Sequence, residues 1–179
     1  GGHRTFGFQV TFFRSRIEAA QSLRSAFAAR QLLFAHAALT DLKGRRLWHD
    51  QRIARAGMGV ASASESDTDI RLRDWSLKRQ ADGSYAALVP ASDFSLELEF
   101  TPTQPPVLQG EAGLSRKGAA SNETSYYYSE PQLAVRGRIG LQAQRFDSNQ
   151  GRAWLDHEWS ETIMSPQAVG WDWIGMNLH

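Results

Sequence analysis

Period-two alternation of apolar and polar side chains runs through much of this chain. Phe6, Phe8, Val10 and Phe12 fall on one face, against Gly7, Gln9 and Thr11. Phe94, Leu96, Leu98 and Phe100 oppose Ser95, Glu97 and Glu99. Leu133, Val135, Ile139 and Leu141 oppose Arg136, Arg138 and Gln142. Successive side chains of a strand point to opposite sides, so these segments read as half-buried strands. Turn chemistry separates them. Asp82-Gly83 predicts a hairpin joining Ile70–Arg79 to Ser84–Val89. Pro90-Ala91-Ser92-Asp93 reads as a corner, the three prolines of Thr101–Pro106 as a loop, and Asp147-Ser148-Asn149-Gln150-Gly151 as a turn. Two stretches suit helix: the Ala-rich Ser15–Arg30, as helix or long loop, and Trp48–Arg55, as a short helical turn. Ser62–Asp67 reads as a polar linker. Many short strands and few helices predict an all-β fold, a barrel or sandwich of antiparallel strands.

Composition narrows the chemistry. At 179 residues the chain can build a core without staples, and it has no cysteine, hence no disulfide or thiolate metal site. The net charge of +1 argues against a dedicated nucleic-acid binder. The charge is uneven: residues 1–60 hold ten Lys or Arg against three acids, and residues 61–179 hold ten against sixteen. Scattered cations usually mean a solvated surface, and peripheral contact with a membrane or polyanion stays open. The chain starts without Met and stops inside an alternating segment, Gly170–His179, so it is read as an excerpt of a longer protein.

Candidate chemistry concentrates near the C-terminus. Four of the six tryptophans fall within residues 154–173, beside Asp156, Glu158 and Asp172. Alternation puts Trp154, Asp156 and Glu158 on one face, and Leu155, His157 and Trp159 on the other. Trp171 and Trp173 share a face, while Asp172 joins Ile174, Met176 and Leu178. A carboxylate among apolar neighbours resists ionisation, which suits a general acid. The structural alternative is that these acids pair with Arg116, Arg136 or Arg152. The aromatics, with Tyr127 in the run Tyr126-Tyr127-Tyr128, suit core packing, a flat apolar ligand, a shielded cation or a stacked sugar. His36 and His157 read as ordinary hydrogen-bonded histidines. The spacing of His36, His49 and His157 matches no metal motif, so no metal and no cofactor is expected.

The segment Phe6–Arg14, then Leu114-Ser115-Arg116-Lys117-Gly118, Tyr126–Leu133, Gly151–Ser160 and Gly170-Trp171-Asp172-Trp173 occur in an order that resembles the hydroxyneurosporene synthase or carotenoid 1,2-hydratase family, of CrtC or AttH type. The resemblance covers most of residues 4–179. It implies two lipocalin-like β-barrel domains packed together. Residues 1–179 would then be an incomplete first barrel, and a second lipocalin-like domain of the same protein would be its partner. It implies a bacterial, exported protein, periplasmic or membrane-associated, of the kind known only as secreted hydrolases. It also implies a hydrophobic, isoprenoid-like ligand and hydro-lyase chemistry. Hydrating an isolated double bond needs an acid, aromatic faces for the cation and one admitted water. The hydratases of the family are thought to use an aspartate two residues beyond an aromatic, a spacing that Trp154-Leu155-Asp156 offers with Trp in place of Tyr. Asp156 would be the acid, Glu158 or Asp172 would place water, and Trp154, Trp171, Trp173 and Tyr127 would line the pocket. Two other readings stay open: a non-catalytic carrier of a hydrophobic ligand, and a carbohydrate-active or carbohydrate-binding domain.

Overall fold

A computed structural model describes residues 4–161, 168–170 and 172–175. Twelve antiparallel strands follow in chain order: β1 (Phe6–Arg16), β2 (Gln31–Asp41), β3 (Arg46–Arg55), β4 (Ala61–Ala63), β5 (Asp69–Leu72), β6 (Trp75–Arg79), β7 (Tyr85–Pro90), β8 (Phe94–Thr101), β9 (Val107–Leu108), β10 (Leu114–Arg116), β11 (Thr124–Leu141) and β12 (Gln144–Trp159). The one helical element among the described residues is a 3-10 turn at Glu18–Ala20. The fold is all-β and lipocalin-like. β1, β2 and β3 form one sheet in that order. The other runs β10-β11-β8-β7-β6-β5-β4, with β9 and β12 also pairing with β11.

The chain divides into two compact units. The first comprises Gly1–Glu99 and Arg136–Asn149, the second Phe100–Val135 and Gln150–His179. In the first, β2 buries Leu33, Ala35, Ala37 and Leu39, and Trp75, Tyr85, Val89 and Leu96 are 0–1 % exposed. Fully burying side chains of this kind contributes about 1.5–3 kcal/mol each. Trp75 also satisfies its only polar atom, donating Nε1–H to the Pro90 carbonyl at 3.2 Å. In the second, the apolar core is smaller: Phe100, Leu133, Val135 and Ala153.

The alternating segments 94–100 and 133–141 form strands with the expected faces buried, and 6–12 lies in β1, where Phe6, Phe8, Val10 and Phe12 are half-buried. The corner at 90–93 links β7 to β8 as read. Three expectations are corrected, and one alternative is decided. Trp48–Arg55 is not helical: it lies in β3, paired residue by residue with β2 from Leu39↔Trp48 to Leu32↔Arg55. A ladder hydrogen bond satisfies its backbone better than an isolated helical turn would. Of the two alternatives for Ser15–Arg30 the loop holds: the segment ends β1 and continues as the 3-10 turn and loop, because short polar residues interrupt any apolar stripe. Ile70–Arg79 is itself a hairpin, closed by Arg73 at φ 58° and Asp74 between Leu72 and Trp75. Asp147–Gly151 does not turn; it lies inside β12. Strand β2 has no counterpart in the sequence reading.

Candidate functional site

Within the second unit, β11 and β12 present two chemically different faces. Alternation along β12 puts Trp154, Asp156 and Glu158 on one side. Residues 153, 155, 157 and 159 take the other, and Ala153 on that side is buried. A Cβ built on Gly151 would stand 2.9 Å from the Val135 Cβ, so at Gly151 and Ala153 this side of β12 packs on the apolar core.

The Asp156 side is a polar network. Ser129 Oγ donates to Asp156 Oδ1 at 2.6 Å, Trp154 Nε1 to the same oxygen at 2.7 Å, and Trp173 Nε1 to Oδ2 at 2.7 Å. Gln109 Nε2 donates to Ser129 Oγ at 2.8 Å, which leaves the serine proton for the aspartate. Ser129 is fully buried, whereas Asp156 is exposed and Trp173 is 59 % exposed. Burial pushes the Tyr127 phenol above its ordinary value, and the charge of Asp156 and its hydrogen bond to Tyr127 add to that, against opposing bonds from Trp173 and Ser129. Two residues on, Glu158 accepts from Ser125 Oγ at 2.6 Å and pairs with Lys117 Nζ at 2.6 Å. Lys117 also lies 5.1 Å from the centre of the Tyr127 ring.

The other side is aromatic. Tyr126 stacks on Trp159 at 5.5 Å and 21°. Tyr128 Oη lies 2.9 Å from His157 Nδ1, and His157 meets Trp159 edge-on at 5.3 Å. Register places Leu114 opposite Tyr126 and Leu108 opposite Tyr128, and cross-strand partners share a face. Tyr126, Trp159 and Leu108 are all more than half exposed. An exposed apolar surface that carries one imidazole and two phenols can hold a flat apolar molecule and exchange a proton with it.

The structure thus brings Trp154, Asp156, Trp173 and Tyr127 together, with Glu158 beside them. Asp172 is exposed, and Trp171 lies outside the described residues. Asp156 is surrounded by hydrogen-bond donors rather than by apolar groups, because Ser125, Tyr127 and Ser129 line its side of β11. The partner of Glu158 is Lys117; Arg136 pairs with Glu99, and Arg152 bonds Gln132. Sequence reasoning missed Gln109, Ser129 and Lys117, and gave His157, Tyr128 and Trp159 no joint role. The unbroken run of hydroxyl-bearing residues from Thr124 to Ser129 is the signal that pointed to Ser129 and Tyr128. Among the described residues no group of three or more His, Asp or Glu could hold a metal ion.

The fold and this strand pair place the protein among lipocalin-like all-β proteins. Kievitone hydratase from Nectria haematococca superposes with a TM-score of 0.71 at 11 % identity, over 91 % of this chain and 45 % of that one. The AttH-like family model matches residues 1–179, and the chain belongs to that family. A Nitrosomonas europaea protein assigned as an AttH is 47 % identical, with a TM-score of 0.80 over 91 % of this chain and 48 % of its own. The chain therefore spans about half the length of the solved structures it matches. No curated protein matches it.

Proposed function

We propose that the protein binds a hydrophobic, isoprenoid-like small molecule against the aromatic side of β11 and β12 and hydrates a double bond in it. The carrying observation is the hydrogen bond at 2.9 Å between Tyr128 and His157 inside an exposed aromatic surface. His157 protonates the double bond, the faces of Trp159 and Tyr126 stabilise the resulting cation, and water adds to it and returns a proton to His157. The phenol of Tyr128 fixes the ring orientation. Hydratase chemistry in a protein of the same fold supports the reaction class. The fold alone supports no substrate.

The test begins with mass spectrometry of ligands extracted from the protein, followed by incubation of the unsaturated ones in heavy-oxygen water. Incorporation of heavy oxygen, lost by about a hundredfold or more in His157→Ala with binding retained, is the expected result. Binding without incorporation leaves a carrier. A second reading keeps Asp156 as the acid, favoured by Trp154 and Trp173 on either side of it. It gains if Asp156→Asn alone ends turnover while His157→Ala does not.

A further inference from the structure

Three of the ten cations of residues 1–60 sit together in a single turn. Arg4, Arg14, Arg16 and Arg52 are paired with Asp41, Glu65, Glu18 and Asp50. Arg30 and Arg55 donate to the backbone carbonyls of Leu23 and Phe27. Lys43, Arg45 and Arg46 are exposed at the β2–β3 turn, with no carboxylate partner among the described residues. Arg46 is held over the ring of Trp48, 5.0 Å from its centre. The same turn exposes two leucines, Leu42 at 54 % and Leu47 at 57 %.

The turn is built rather than loose. Asp41 is 1 % exposed and accepts from Arg4, and its carboxylate also takes the backbone N–H groups of Gly44 and Lys43. A Cβ on Gly44 would collide with that carboxylate, and Arg45 sits at φ 49°, so the backbone tucks under and the side chains of 42, 43, 45, 46 and 47 point outward. Arg4 also donates to Gln144, which ties the β11–β12 turn, with its exposed Arg145, to the same end of the first unit. Beside that turn the exposed Asp93 accepts the Gln142 N–H at its backbone carbonyl.

We infer that the turn Leu42–Leu47 docks the protein onto an anionic lipid bilayer, the leucines entering the headgroup boundary and Lys43, Arg45 and Arg46 meeting lipid phosphates. Three cations without an acid match a negative surface, and each basic residue near such a surface adds to the attraction. The exposed leucines favour lipid over a soluble polyanion, which offers them no apolar phase.

The test is sedimentation with phosphatidylcholine vesicles, with and without about 30 % phosphatidylglycerol. Binding should be at least about tenfold stronger to the anionic vesicles and should fall with salt. A Lys43→Gln, Arg45→Asn, Arg46→Gln variant should lose it; Asn tolerates the left-handed backbone at 45. Leu42→Ser with Leu47→Ser should weaken it several-fold, and Arg24→Gln should not. A nitroxide on Leu42→Cys, in this cysteine-free chain, should lose contact with an aqueous relaxation agent on anionic vesicles, a readout that needs no charge variant to fold. Equal binding to neutral vesicles, or a leucine-independent affinity shared with heparin, overturns the inference.

Discussion

Asp156 accepts hydrogen bonds from Ser129, Trp154, Trp173 and the Tyr127 phenol, so its amide isostere, with one oxygen in place of two, has too few acceptors. Asp156→Asn turns an NH2 group toward an indole N–H, and we expect a loss of about 1–3 kcal/mol in urea unfolding. The same change removes a charge that raises the Tyr127 pKa, so the phenolate should form at lower pH in the variant, as followed by its ultraviolet absorbance. In the native protein the contribution of Tyr127 is complete below its ordinary titration range and is lost as pH rises through its raised value. Asp50 works in the opposite sense. Burial disfavours its charge, but the Ser92 N–H, the Arg52 guanidinium, the Gln51 N–H and the Ser92 hydroxyl outweigh that and hold it at about 2. Its stabilisation is present above the ordinary carboxylate range and disappears as pH falls toward 2. With solvent screening it is worth about 1 kcal/mol. Asp50→Asn should therefore narrow the stability difference between pH 7 and pH 2.

At the scale of the element, the long strands set the register on which the site depends. Gly137 in β11 has φ 140°, and a Cβ there would overlap the Glu97 carbonyl oxygen of β8. Gly137→Ala should cost more than the ~1 kcal/mol of an ordinary glycine replacement and should lower protection of β8 amides in hydrogen exchange. Gly140→Ala, which meets only the Ser95 hydroxyl, should cost less. Strands with large apolar residues on one side and charges on the other, such as Phe94–Phe100, were legible because the two faces differ in chemistry. Strand β2 was not: Leu32, Phe34 and Ala38 sit between its buried residues Leu33, Ala35, Ala37 and Leu39, so both faces look apolar and the period vanishes. The Asp-Ser-Asn-Gln-Gly run of β12 resembles a turn in isolation, and only pairing with β11 keeps it extended. The two faces of residues 153–159 could be read from alternation. What surrounds Asp156 could not, because Gln109, Lys117, Ser125 and Ser129 reach it from other strands and loops.

For the molecule as a whole, the distribution of carboxylates sets how acid acts. Asp41, Asp50 and Asp82 are all held below their ordinary range, by the Arg4 guanidinium, by the donors around Asp50 and by Ser84, and all lie in the first unit. Acidification from pH 4 toward pH 2 should open that unit first, which pulsed hydrogen exchange would show as lost protection in β2, β3 and β7 ahead of Tyr126–Ser129. The lipocalin-like architecture was legible from the strand pattern together with the motif order. The division into two units was not, because β8, β11 and β12 each contribute residues to both.

Two indole N–H groups ending on one carboxylate also give this protein an optical property. An indole whose N–H is bound by an anion relaxes differently in its excited state from one bound by water. Trp154 and Trp173 therefore share a single quencher and a single spectral tuner in Asp156. Their emission is expected to report whether residues 172–175 are seated against β12, with no label added to the chain.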